Sequence, residues 1–71
     1  MHITYDPEAD AMAIILCKGT VEETLIVTDN VNVDVDKEGR PLCIEILSVH
    51  EQLGSDTTRR FSFEVLSPNN E

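Results

Sequence analysis

Basic residues are scarce in this sequence. Five Lys and Arg stand against fourteen Asp and Glu, for a formal net charge of −9. Phosphate backbones and anionic membrane surfaces are held by clustered cations, and the one adjacent pair here is Arg59-Arg60. That argues against nucleic-acid binding by the chain on its own and against docking to an anionic membrane. Long apolar runs are missing too. The longest, Ala11 to Cys17, falls far short of the roughly 18 residues of a membrane span. Met1-His2-Ile3-Thr4 offers no basic stretch, apolar run or cleavage site, so no export leader is expected and a cytoplasmic location is. Cysteine is limited to Cys17 and Cys43, one bridge at most, and in a reducing compartment both read as small buried apolar residues. Gly19, Gly39 and Gly54 stand alone, so no glycine-rich loop can cradle a phosphate.

With 71 residues there is room for one domain, expected over 1–67, with a flexible tail at 68–71. A chain this short buries only about 60% of the surface its unfolded form exposes. Small domains of this kind lean on disulfides, a metal or a partner subunit. The acidity would accommodate a basic protein partner. It equally serves to keep a small, edge-rich β protein soluble, and that is the default reading.

What the sequence has in abundance is period two. Val31, Val33 and Val35 alternate with Asn32, Asp34 and Asp36, and Leu42, Ile44 and Ile46 alternate with Cys43, Glu45 and Leu47; each pattern is that of a strand. Between them Asp36-Lys37-Glu38-Gly39 predicts a tight hairpin with a positive φ at Gly39. Ala11 to Cys17 reads as a central strand covered on both faces. Lys18-Gly19 turns the chain into a strand over about Val21 to Val27, Asp29-Asn30 marks the next turn, and Ile3 to Tyr5 is a short first strand broken by Asp6-Pro7. Ser48 and Glu51 have the spacing of a capping box, and Gly54 can close the one- or two-turn helix they begin. Val49 and Leu53 would face the sheet. Phe61, Phe63 and Val65 alternate with Ser62 and Glu64, which predicts a last strand. The expected fold is mainly β, bordering on α+β: an antiparallel meander of about five strands, one short helix, then a sixth strand.

Ile3-Thr4-Tyr5-Asp6-Pro7-Glu8-Ala9-Asp10-Ala11 resembles the opening of a small prokaryotic family catalogued as domain of unknown function 2283. Val33-Asp34-Val35-Asp36, through Gly39 to Ile44-Glu45-Ile46-Leu47, is similar to that family's second hallmark. The resemblance spans about Met1 to Leu53. It departs at Ala13, where the family commonly carries Tyr. It implies no mechanism, but it allows a small toxin-like protein as a partner.

Two acidic patterns invite a metal or acid–base reading. Asp34-x-Asp36-x-Glu38-Gly39-x5-Glu45 fits the twelve-residue calcium-loop spacing with one substitution. Such a loop needs a helix on each side, whereas these flanks alternate with period two, so a hairpin is expected and no metal. The second pattern is Asp6, Glu8 and Asp10 beside Tyr5. Three carboxylates around a turn could hold a hard cation or act as an acid–base pair. A structural turn, with Asp6 and Asp10 accepting backbone N–H groups and Pro7 fixing the corner, explains them better. His2 and His50 lie far apart and lack zinc spacing to a cysteine. Cys17 with His50 lacks a positioned third group, and no serine has a nucleophile-elbow setting.

No catalytic residue and no cofactor are therefore expected. The favoured reading is a small acidic interaction module, antitoxin-like toward a basic protein or self-associating as a homodimer. Phe61, Phe63 and Val65 are the candidate interface, because a thin core cannot cover both rings. The alternative is a small enzyme or metal-binding protein that uses Tyr5, Asp6, Glu8 and Asp10.

Overall fold

The computed structural model describes residues 1–68. It contains β1 (His2–Asp6), β2 (Ala11–Ile15), β3 (Glu23–Thr28), β4 (Val31–Val35), β5 (Pro41–Ile46) and α1 (Val49–Leu53). The fold is mainly β, a five-stranded, wholly antiparallel sheet with one short helix. No helix among the described residues is long and apolar enough to cross a membrane. The tail expected at 68–71 lies outside the described residues except for Pro68.

Three hairpins build the sheet, but the strand order is β1-β2-β5-β4-β3, so the chain does not run as one continuous meander. After β2 it crosses to the far edge. Leu16 and Cys17 donate their N–H groups to the Leu42 carbonyl, and Glu22 donates to Val35. The reason lies in side-chain content. Met12 and Ile14 of β2 stand opposite Ile46 and Ile44 of β5, which joins two apolar strands in the middle of the sheet. β3, carrying Glu23, Thr24 and Thr28, tolerates an edge, and a register shift between Ile26 and Thr28 disturbs its pairing there.

The register sorts the side chains into rows. One row crosses all five strands as Ile3, Ile14, Ile44, Val33 and Leu25, and the next holds Tyr5, Met12, Ile46 and Val31. The opposite face carries Thr4, Ala13, Glu45, Asn32 and Ile26, beside His2, Ile15, Cys43, Asp34 and Thr24. Successive residues of a strand point to opposite faces, so the sheet has one apolar and one largely polar side. On the polar side the Thr24 hydroxyl donates to Asp34 across β3 and β4 at 2.6 Å.

Buried apolar residues are few: Val35, Leu42 and Val49. Val35 and Leu42 sit where the β2–β3 crossing passes. A Cβ on Gly19 would lie 2.8 Å from Leu42 Cδ2, so that crossing needs glycine for close approach. Val49 is buried at the other end, in the first turn of α1. The central apolar rows stay only half-covered, so β2 is interior to the sheet without being covered on both faces.

Gly39 has φ 83°, the positive value the hairpin requires. Asp36 is buried and ties the turn together, accepting from the backbone N–H groups of Glu38 and Arg40 and from Arg40 Nε at 2.7 Å. These contacts hold the Asp36 carboxyl below its ordinary pKa, the Arg40 amide first among them and burial opposing.

Four further expectations need correction. Ser48 makes no side-chain cap bond and adopts φ 51°, ψ 51°, so the capping box does not form. A left-handed Ser48 cannot aim its hydroxyl along the helix start, and another residue does that work. Leu53 is exposed while Val49 is buried, because a five-residue helix turns only one side chain fully inward. The sixth strand does not form: residues 60–67 have no regular structure, and Phe61, Phe63 and Val65 are 70%, 71% and 80% exposed. Among the described residues this segment pairs with neither of the free edges that β1 and β3 present. Cys17 is exposed, with its thiol 3.6 Å from the Pro41 carbonyl; β2 ends at Ile15 and leaves it beyond the packed rows.

Candidate functional site

The β1–β2 turn and the start of α1 meet at one corner of the sheet, and the acids of the turn divide their tasks there. Asp6 Oδ1 accepts from the Glu8 and Ala9 backbone N–H groups at 3.0 and 3.4 Å, an Asx turn whose corner Pro7 helps fix. Glu8 projects to solvent. Asp10 takes a left-handed φ of 52°, which aspartate tolerates better than most residues. That conformation turns its carboxylate back toward β1 and up toward the helix.

Asp10 is the hub of the corner. Tyr5 donates its hydroxyl to Asp10 Oδ1 at 2.6 Å. The His50 backbone N–H points at both carboxylate oxygens, at 3.3 and 3.2 Å. The Val49 N–H donates to the Asp10 carbonyl at 3.0 Å. Helix α1 is thus capped from another hairpin rather than from Ser48. The His50 ring stacks on Tyr5 with centroids 5.5 Å apart. Its Nε2 lies 3.1 Å from Thr58 Oγ1 and 3.4 Å from the Tyr5 hydroxyl, and its Nδ1 lies 3.9 Å from Asp10 Oδ1.

The electrostatics follow from these contacts. The Tyr5 phenol, which donates to a carboxylate, is pushed up to about 12. The same bond, joined by the His50 amide and ring, holds Asp10 below the ordinary carboxylate range. Tyr5 is therefore a fixed donor and Asp10 a fixed acceptor, each already engaged. The Cys43 thiol is pushed up, chiefly by burial and then by the Asp34 and Glu45 charges. The turn acids do not converge on one point, and no group of three His, Cys, Asp or Glu among the described residues is placed to hold a metal ion. The calcium-spaced acids lie in a strand hairpin, with Asp34 engaged by Thr24 and Asp36 by Arg40.

Beside this corner the apolar face opens into a groove of about 830 Å³. Ile3, Met12, Ile14 and Ile46 form its floor, and Leu53, Phe61 and Phe63 its far side, with Arg59 and Arg60 along the rim. Of the candidates read from the sequence, Tyr5 and Asp10 come together here and Phe61 and Phe63 border the groove. Asp6 and Glu8 stand apart, and Val65 lies beyond the groove. The sequence pairs His50 only with a cysteine and does not single out Thr58, because nothing local signals that either residue reaches Tyr5.

The family model described as Protein of unknown function (DUF2283) matches residues 2–49. The chain belongs to the DUF2283 family. The matched segment runs from the first residue of β1 to the first of α1, so it holds the whole sheet, Tyr5 and Asp10. His50, Thr58 and the aromatic arm lie after the DUF2283 match. No curated protein and no solved structure matches the chain.

Proposed function

We propose that this DUF2283 chain is a non-catalytic interaction module that works as a homodimer, with Phe61, Phe63 and Val65 in the contact. The apolar groove flanked by largely exposed phenylalanines carries this reading. A buried aromatic ring removes about 150–250 Å² from water, and one copy of the chain leaves both rings mostly wet. The Tyr5–Asp10–His50 corner supports a non-catalytic role, since its donors and acceptors are spent on one another and on capping α1. It acts as a clamp between the first hairpin and the helix.

Sedimentation equilibrium at micromolar concentration tests the dimer. A species of twice 7.9 kDa is expected, and a species of 7.9 kDa throughout would overturn the reading. Deletion of residues 60–71 is expected to weaken the dimer, and an undiminished dimer would overturn the placement of the contact.

The acidity supports a further role, in which the module holds a basic protein as an antitoxin holds its toxin. Asp34 and Glu45 on the polar sheet face, within a net charge of −9, would supply the complementary field. Affinity capture from lysate tests it: a basic protein retained by the native chain should be lost when Asp34 and Glu45 are both changed to Lys. Equal retention by that variant would remove the polar face from the reading.

A further inference from the structure

We infer that the surface joining the two copies is the apolar sheet face itself, two sheets stacking face to face around a two-fold axis into a ten-stranded sandwich. This rests on the homodimer reading above and states how the copies meet.

Surface area is the first ground. The chain exposes 5783 Å², whereas a folded monomer of 7.9 kDa exposes about 4,400 Å². The difference, about 1,400 Å², exceeds the roughly 800 Å² that each partner of a stable complex covers. The arm around Phe61 contributes part of that excess.

Shape is the second. The molecule extends 40 × 35 × 19 Å with a radius of gyration of 14.2 Å, against about 11 Å for a compact domain of its length. Stable domains pack two layers around a core, and a five-residue helix does not make a second layer over five strands. The row Ile3, Ile14, Ile44, Val33 and Leu25 spans the whole sheet and is only half-covered or exposed.

Charge placement chooses the occupant. The two apolar rows carry no charged side chain, while Asp34 and Glu45 lie on the opposite face. A two-fold stack therefore turns those acids outward, on either side of two sheets about 10 Å apart. Arg59 and Arg60 border the groove and bring cations to the seam. A basic partner would instead seek the polar face. Five strands about 4.8 Å apart, with about 3.3 Å per residue along each, give a face of only about 24 × 17 Å. The arm bearing Phe61 and Phe63 is then needed to bring the interface to standard size, so face and arm act as one surface.

Ile44 sits on β5, the middle strand, and its neighbour Glu45 points to the opposite face. Cysteine is placed at either position in a chain carrying Cys17→Ser and Cys43→Ser, and each variant is treated at micromolar concentration with a short bismaleimide. Ile44→Cys is expected to yield a cross-linked species of twice 7.9 kDa at least tenfold more abundant than Glu45→Cys. Equal yields, or the reverse order, would overturn the face assignment. Ile14→Cys, in the same row on β2, serves as the second variant if circular dichroism shows Ile44→Cys unfolded. A wild-type chain that sediments at 7.9 kDa overturns the homodimer itself. A wild-type dimer without the Ile44 or Ile14 cross-link overturns only its geometry.

Discussion

Val49→Ala isolates what anchors the helix. Val49 is the only described residue whose side chain is fully buried, and its N–H is bonded to the Asp10 carbonyl. Alanine keeps that backbone bond and removes two methyl groups. At about 0.8 kcal/mol each, the lost transfer free energy is about 1.6 kcal/mol. A residual cavity of about 40 Å³, at about 24 cal/mol per Å³, adds about 1 kcal/mol. The sum, about 2.5 kcal/mol, is a large share of the roughly 4–10 kcal/mol available to a domain of this length. For so small a domain each kcal/mol moves the midpoint by about 4–8 °C, so a fall of about 10–20 °C is expected. Thermal unfolding followed by circular dichroism measures it. Gln52→Ala, on the exposed side of the same helix, provides the comparison and should change stability by less than about 0.5 kcal/mol. If Val49→Ala melts within two or three degrees of Gln52→Ala, as an order-of-magnitude margin, the corner is not held by Val49 and the reasoning fails.

Three other outcomes follow from the same structure. Gly39→Val should destabilise by about 1–2 kcal/mol through backbone conformation alone, because a Cβ there meets nothing within 4 Å. Gly39→Asn should recover much of that loss, and equal melting of the two variants would refute the backbone cause. Ser48→Ala should cost less than about 0.5 kcal/mol in urea unfolding, since no cap bond is lost, whereas the loss of a true N-cap costs about 1 kcal/mol. Asp36, whose folded pKa is lowered, contributes stability that is present above its unfolded pKa of about 3.9. That contribution is lost as pH falls through the still lower folded value. The wild type should therefore lose stability below about pH 4, and Asp36→Asn should be less stable at neutral pH with a flatter acid limb. An unchanged acid limb would exclude Asp36 as the titrating group.

Much of the sheet is legible in the sequence alone. The alternation of Val31, Val33 and Val35 against Ile44 and Ile46, with Gly39 between, specifies a hairpin because side-chain period and turn chemistry are local properties. Asp6-Pro7 likewise marks the end of β1 for local reasons. Where local cues were the whole argument they also misled. Ser48 and Glu51 have capping-box spacing, yet Asp10, 38 positions before Ser48 in the chain, supplies the cap. Phe61, Phe63 and Val65 alternate like a strand, yet residues 60–67 pair with neither free edge of the sheet, and alternation without pairing makes no strand.

Composition and periodicity by themselves thus determined the all-antiparallel β character, the hairpin positions and the acidity, while the motifs over Ile3–Ala11 and Val33–Leu47 carried the resemblance to DUF2283. Those depend on side-chain chemistry and on contacts between residues close in sequence. Only the tertiary structure decided that β5 lies beside β2, and that Tyr5, Asp10, His50 and Thr58 share one corner. It alone decided, too, that a continuous apolar row is left half-open across five strands. These are long-range pairings, fixed by which apolar strands gain most from the centre of the sheet, and no short window of sequence contains both partners.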